Sequence, residues 1–414
     1  MASSAADDVL VLFIEAHQRR RRRRLFIAAV ALAAIGATTA AVTLTANGGQ
    51  AHPAPVASPP AVPSLGSPPR LAWIDYQGQV HIGSLQSRQQ RVVGSGSGSP
   101  VTSMVASGRT LFWVDNGGVV YDRATRQVRS LPRGVMAYDT ATGRVRSFAS
   151  DAGVFNAVGS TDVFVDSDDA RSVVRYNLDG RLVARLTLPA GWVPAGAEGL
   201  GTSSPALAHG EFLVESTTPV AGGAAGAKLA VWTPATGGVR VLGDFLDLVA
   251  TYTDSRGQSS LAAWLPYRCA ISYETCAVQL TDLGTGVTRQ ILNPLGFGFD
   301  MRGAFSPDGR QLAAFAKTNS GGYDPQTRLA LVDVKTGALR LVPGATIGIG
   351  EPVAWAQWLP ASTQLIVGGT SGQDGAGNWG ANHFLVDSTT LRATPFSFLT
   401  DGQKDVNYSA VLLP

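Results

Sequence analysis

Residues 332–342, VDVKTGALRLV, decide the fold. An apolar strand ends at Asp333, turns through Lys335-Thr336-Gly337, and returns as a second strand around Arg340. Alternating apolar residues suit a half-buried strand, and a polar turn ending in Gly joins two of them tightly. The same unit recurs as YDTATGRVRSF at 138–148, WTPATGGVRVL at 232–242 and, more loosely, TDLGTGVTRQI at 281–291. Degenerate copies begin at Ile82, Tyr176 and Val386. Upstream of each lies another hydrophobic pair of strands, as in GAFSPDGRQLAAFA at 303–316. From Leu71 onward no helical period competes with this pattern, so the chain reads as an internal repeat of β-strands.

With four strands per unit, innermost first, the second unit has strands near 101–106, 110–115, 118–122 or 135–139, and 144–148. The third runs 153–158, 161–166, 172–177 and 181–188, and the fourth 204–208, 211–216, 228–233 and 238–243. The fifth runs 246–251, 259–265, 276–281 and 287–291, the sixth 301–305, 310–316, 328–333 and 338–342, and the seventh 353–358, 363–369, 382–387 and 391–396. The first has only three, near 70–75, 78–83 and 89–93, and lacks its innermost strand. Tyr408-SAVLLP at the end of the chain reads like that missing strand and is expected beside Leu71-AWID, closing a ring and covering its edges. Seven units over 71–414 give about 49 residues each. The second unit leaves six or eight open, because YDRATRQVRSL at 121–131 and YDTATGRVRSF lie only 17 residues apart. Either 123–134 is an insertion or the count shifts by one.

Ser306-Pro307-Asp308-Gly309-Arg310-Gln311-Leu312-Ala313 resembles the SPDGRxIA turn of TolB-type propellers, repeats related to the WD class. The resemblance implies an all-β fold, a β-propeller over 71–414, with the C-terminal strand closing it. Leu359-PASTQLIV is a degenerate copy, and the Gly-His and Trp-Asp pairs of true WD repeats are absent. An Arg-to-Lys ratio of 29 to 4, with abundant Ala and Gly, resembles actinobacterial envelope proteins.

The formal charge of +3 belongs to the N-terminus. Residues 1–24 carry six arginines, Arg19, Arg20, Arg21, Arg22, Arg23 and Arg24, against Asp7, Asp8 and Glu15, whereas 71–414 hold 26 basic and 27 acidic side chains. A neutral domain removes the electrostatic reason to expect a nucleic-acid partner. Residues 25–46 form 22 uncharged positions, enough to cross about 30 Å of hydrocarbon as a helix. The arginines before them keep the N-terminus cytoplasmic and place the rest outside. The span is retained as an anchor or removed as a twin-arginine-type signal, and both readings export the remainder. The apolar hexamer 9–14 in the head lies in the membrane interface or docks a cytosolic partner. Residues 47–70 contain seven prolines and read as an extended spacer. The organisation expected is a cytoplasmic basic head (1–24), a transmembrane helix (25–46), a Pro-rich linker (47–70) and a propeller (71–414).

Cys269 and Cys276, seven positions apart between two strands of the fifth unit, read as a disulfide outside the cytoplasm. His81, His209 and His383 are scattered without ligand spacing, so neither a zinc site nor any other metal or cofactor is expected. No G-x-S-x-G elbow appears, and Asp166-Ser167-Asp168-Asp169 lacks the spaced ligands of a calcium loop. No catalytic residue is therefore assigned. Long connections join second strands to third and fourth strands to the next unit, which in a propeller gathers them on one face. They carry Trp192, Tyr267, Tyr273, Phe297, Phe299, Tyr323 and Trp379, aromatics that suit a protein or carbohydrate surface. The function expected is a single-pass, membrane-anchored, extracytoplasmic binding or scaffold module for a protein or cell-wall glycan. An exported hydrolase or lyase acting on glycan, or a sensor coupled to a cytosolic regulator, stands as the alternative.

Overall fold

A computed structural model describes residues 70–413 apart from 75–78, 86–88, 96–103, 108, 116–117, 123–126, 132–133, 151–152, 157–161, 168–170, 196–204, 218–226, 255–259, 271–275, 294–295, 298–300, 319–325, 350–353, 361, 374–378 and 396–408. The expected head, span and linker lie outside these residues. Among those described, strands account for nearly everything, two one-turn 3-10 segments are the only helices, and no helix is long and apolar enough to cross a membrane.

The strands assemble into antiparallel sheets, except that Met301–Arg302, split from the inner strand expected at 301–305, runs parallel to Ala354–Trp355, and the repeat units of the sequence can be followed along them. The first comprises Arg70–Ile74, Gln79–Ser84 and Gln90–Ser95, with the C-terminal Ser409–Leu413 antiparallel to Arg70–Ile74 and Leu71 opposite Leu412. The second comprises Met104–Ser107, Thr110–Asp115, Gly134–Asp139 and Val145–Ala149. The third is Gly153–Asn156, Asp162–Asp166, Ser172–Asn177 and Leu182–Thr187. The fourth and fifth share one sheet, through Trp192–Pro194, Phe212–Ser216, Ala227–Thr233, Gly238–Thr253, Ser260–Pro266, Val278–Asp282 and Thr288–Ile291. The sixth is Ala304–Phe305, Gln311–Thr318, Gln326–Asp333 and Leu339–Ile349. The seventh is Ala354–Trp358, Gln364–Gln373, Trp379–Asp387 and Arg392–Pro395.

Three details differ from the sequence reading. Among the described residues Gly118–Asp122 pairs only with Gln127–Leu131, as a separate hairpin, and Gly134–Asp139 takes the place beside Thr110–Asp115. The near-duplicate repeat is thus an insertion between the second and third strands of its unit. Second, the outer strand of unit four and the inner strand of unit five run as one, Gly238–Thr253. Its first half pairs with Ala227–Thr233 and its second half with Ser260–Pro266, across irregular registers near Phe245 and Leu248. Third, the inner edge of unit four is composite: Trp192–Pro194 lies opposite Val214–Ser216, and Ala206 bridges to Phe212.

Each unit buries its apolar face against the next. Ile74 and Val80 pack with Leu111 and Trp113 across units one and two, and Phe112 and Phe148 with Val163 and Val165 across two and three. Phe164 meets Phe212 and Trp232, Leu213 and Leu229 meet Trp264, and Phe315 and Leu329 meet Ala356 and Val367. Units five and six meet through the rings of Tyr252 and Phe305, 6.0 Å apart. Trp355 and Ile366 of unit seven pack on Leu71, Trp73 and Ala410 of unit one. The large rings need room in the sheet beside them. A Cβ on Gly94 would sit 2.3 Å from the Trp113 ring, and one on Gly243 2.7 Å from the Trp264 ring. Indole and glycine therefore come as a pair between units one and two and again between units four and five.

The repeat motif itself has a physical account. Asp139 accepts backbone N–H bonds from Ala141 and Thr142, and Asp282, Asp333 and Asp387 cap their own turns in the same way. These N–H groups hold the Asp139 and Asp333 carboxyls below the usual range. Gly143, Gly237, Gly286 and Gly337 have φ between +70° and +76°, which a side chain would resist. Three residues after each glycine stands an arginine that reaches the following unit. Arg146 donates to the Leu178 carbonyl at 2.7 Å, Arg240 to that of Leu283, Arg289 to that of Val334 at 2.9 Å, and Arg340 to that of Ser388 at 3.4 Å. In unit one Arg91 holds the same register and donates to the Tyr138 hydroxyl of unit two. These arginines are clasps between successive sheets. A charge-assisted bond contributes on the order of 1 kcal/mol at such exposed or half-buried sites. Arg240→Ala is expected to lower the urea midpoint by a measurable fraction, and the four-fold variant at 146, 240, 289 and 340 by roughly four times as much in free energy.

Candidate functional site

Second strands end where the long connections begin, so their last residues define the loop-bearing end of each unit. Asp115 and Asp166 end the second strands of units two and three, and Glu215 and Lys317 stand one residue before the ends in units four and six; the three carboxylates are half-buried and Lys317 is buried. The sequence reading passed over them, although Trp-Val-Asp, Phe-Val-Asp and Val-Glu-Ser at matching strand ends are visible in the chain.

The seven aromatics expected on this end fare unequally. Trp192 opens the inner edge of unit four, half-buried against the core it shares with Leu188 and Trp232. Tyr267 and Phe297 are buried, at 7% and 1% exposure, which corrects the expectation that they are displayed. Phe297 is held inward by an isolated bridge to Ala316, while the Asn293 amide donates to the Lys317 carbonyl at 2.8 Å. Tyr267 sits in the one-turn helix Tyr267–Ala270, which carries Cys269 into the interior. Its hydroxyl is buried without a hydrogen-bond partner among the described residues. Trp379 begins strand Trp379–Asp387, its side chain outside the described residues, as are Tyr273, Phe299 and Tyr323 altogether. The structure thus brings no two of the seven into contact as an exposed cluster among those described.

Cys269 and Cys276 are disulfide-bonded, with Cα atoms 4.6 Å apart and both residues buried. The bond closes the connection between the second and third strands of unit five.

The buried ionisable groups are few. Arg302, on the short strand Met301–Arg302 that runs parallel to Ala354–Trp355 of unit seven, donates to Asp247 Oδ1 of unit five at 2.8 Å and to the Leu248 carbonyl at 2.7 Å. Both side chains are nearly closed to solvent, at 10% and 14% exposure. This carboxylate is matched by a guanidinium and does not stand free as a base. Among the described residues no group of three His, Cys, Asp or Glu is placed to hold a metal ion. The Ser306–Arg310 turn is built for its own geometry: the Ser306 hydroxyl and the Arg310 N–H bond Asp308 Oδ1, which lowers the carboxyl below its usual range.

His383 lies buried beside Trp355, with ring centroids 6.2 Å apart, and burial pushes its pKa down to about 4. The unfolded chain, near 6.5, takes up the proton first, so stability present above about 6.5 is lost as pH falls toward 4, by roughly 3 kcal/mol in full. Urea unfolding between pH 7 and 4 should show this loss, and His383→Gln should flatten it.

No family model matches the chain, and no curated relative does. Among solved structures it is similar to TolB from Acinetobacter baumannii, with 14% identity, TM-score 0.40, and coverage of 68% of this chain and 65% of that one. The chain thus spans less than two thirds of TolB. It is also similar to a putative 6-phosphogluconolactonase from Bacteroides fragilis, with 13% identity, TM-score 0.47, and coverage of 85% and 100%. An oligogalacturonate lyase from Vibrio parahaemolyticus matches with 11% identity, TM-score 0.48, and coverage of 79% and 84%. These are β-propeller proteins, and the likeness is one of fold alone.

Proposed function

We propose that the chain is a membrane-anchored, extracytoplasmic β-propeller of seven blades that serves as a non-catalytic binding module. Its ligand, a protein or a wall glycan, meets the end bearing the long connections. The ring reading is supported by the packing order of the units, last on first, and by Ser409–Leu413 pairing with Arg70–Ile74. Anchoring and export rest on the arginine run before residues 25–46 and on the disulfide.

The observation that carries the non-catalytic reading is the Asp247–Arg302 pair. Glycan hydrolysis calls for two carboxyls about 5 to 10 Å apart with one free to ionise. The inner-strand carboxylate here is neutralised by an arginine that a backbone carbonyl also fixes.

The test is photo-crosslinking of the intact protein in its host membrane, with probes in the long connections. A discrete adduct through residues 71–414 is expected. Turnover of a wall glycan by the purified domain, with no adduct, would sink the reading. Topology is checked by alkylation in unreduced cells, where Cys269 and Cys276 should stay unlabelled until a reductant is added.

A further inference from the structure

Each unit ends at its outer edge in a fourth strand, and these strands share one chemistry. Counting Gly238–Thr253 only as far as Phe245, every fourth strand carries a single arginine, from Arg91 in unit one to Arg392 in unit seven. Asp244 is the one acidic residue among them. The remainder of 71–414 is acidic, with 19 basic and 26 acidic side chains. Where these arginines bond, they bond to carbonyls or hydroxyls. Among the described residues none of them enters an ion pair, so their charge stays uncancelled at the edge.

Exposed apolar residues fall in the same place. Among the described residues, every large apolar side chain that stands exposed lies on a fourth strand or directly beside one. Five of them belong to three successive units: Leu182 and Val183 in unit three, Val241 in unit four, and Val287 and Leu292 in unit five, at 49% to 71% exposure. A regular strand would send the neighbours Leu182 and Val183 to opposite faces. The register slips there, with Arg175 opposite Ala184 and Tyr176 opposite Leu182, and the bulged Val183 is exposed beside Leu182. Arg181, Arg185, Arg240 and Arg289 stand exposed among these side chains, against Asp179 and Asp282 of the turns, while Asp244 is matched by Lys228 at 3.1 Å. A folded partner calls for a contiguous apolar centre inside a polar rim, whereas here the two are interleaved. A bilayer interface takes up that mixture, since it accepts shallow apolar side chains anywhere and draws arginine to its phosphates.

We propose that the outer edges of units three to five dock against the surface of an anionic lipid bilayer, with the arginines at the phosphates and the five apolar side chains in the interface. This rests on the reading of the chain as membrane-anchored and adds an orientation to it. The spacer 47–70 spans at most about 80 Å, which keeps the domain within reach of a bilayer that holds residues 25–46.

The test reconstitutes the full-length chain into vesicles of phosphatidylglycerol or of phosphatidylcholine, each holding a headgroup-nitroxide lipid. An NBD fluorophore is placed on Val183→Cys, on Val287→Cys or, as a control, on Thr389→Cys, an exposed turn residue of unit seven. Nitroxide should quench the labels at 183 and 287 at least about threefold more in phosphatidylglycerol than in phosphatidylcholine, and leave the control unquenched. Read from Val287→Cys, Arg181→Glu with Arg185→Glu should abolish the difference without moving the unfolding midpoint, since neither arginine clasps a neighbouring unit. Leu182→Ser, which keeps every charge, should remove about half of it. Equal quenching in the two lipids, or equal quenching at 183, 287 and 389, would overturn the docking. Soluble polyglutamate that shifts the label at 287 in phosphatidylcholine, while phosphatidylglycerol leaves it unquenched, would overturn it in favour of an acidic polymer. If alkaline carbonate extracts the chain, the anchor reading fails, and flotation with phosphatidylglycerol but not phosphatidylcholine vesicles decides the docking by itself. An unquenched chain that still gives the crosslinked adduct of the intact protein ends the lipid surface and leaves the binding module standing.

Discussion

A chain ending at residue 408 is expected to lose cooperative folding. Ser409–Leu413 lies antiparallel to Arg70–Ile74 over its whole length, and Ala410, Val411 and Leu413 are buried. Val411 and Leu413 alone contribute roughly 3–6 kcal/mol by leaving water. Their removal also uncovers Leu71 and Trp73, which are fully buried, and opens a strand edge. Set against a typical total of about 5–15 kcal/mol, that loss takes most of the stability. Truncation can also trap a chain during refolding, so Leu413→Ala provides a graded companion, expected to cost about 2–5 kcal/mol. Urea unfolding followed by tryptophan fluorescence reads both. A chain of 1–408 with an unchanged midpoint would show that the terminal strand is dispensable.

The second large effect concerns Asp247 and Arg302. Truncating Asp247 to Ala removes the carboxylate that Arg302, at 10% side-chain exposure, bonds at 2.8 Å, and loss of one partner from so enclosed a pair costs about 3–5 kcal/mol. The pair ties unit five to the Met301–Arg302 strand, which itself pairs with Ala354–Trp355 of unit seven, so the Asp247→Ala chain should show a lowered urea midpoint. Pairing Asp247→Leu with Arg302→Met should recover most of the loss, because neither charge is then stranded. Equal stability of Asp247→Ala and the wild type would refute the pair as a structural joint. A gain of hydrolytic activity in no variant, and full retention of ligand capture in the double variant, would separate the joint from the site.

Much of the fold was legible because its signals are local. Thr-Gly turns, the Asp that caps them and the alternation around Arg340 specify hairpins without reference to anything distant. The terminal strand was legible because Tyr408-SAVLLP had no other partner of its kind and unit one lacked one. The duplicated hairpin was not, since both copies encode the same local structure. Which one joins the sheet is decided by pairing with Thr110–Asp115, a tertiary choice. The sequence reading ends one strand at 243 and begins the next at 246, whereas the sheet carries Gly238–Thr253 through as one strand. The candidate site was the least legible part. An aromatic in a connection reads the same whether it faces solvent or folds back, and Phe297 and Tyr267 fold back. The arginines could be counted from their spacing after Gly, but their carbonyl targets lie about 32 to 48 residues away, and spacing alone does not point there.

Those arginines are not distributed evenly. Arg91 and Arg146 tie units one, two and three together, and Arg240, Arg289 and Arg340 tie four through seven. Between three and four the series lapses: an irregular register at Arg175 and Tyr176 turns Arg185 to Ser172 of its own sheet. Between seven and one it lapses again, with Thr394 at the register where the other units place arginine. Among the described residues the clasps thus fall into two runs, and the interfaces that interrupt them are filled by rings instead, Phe164 with Phe212 and Trp232 at one and Trp355 with Leu71 and Trp73 at the other.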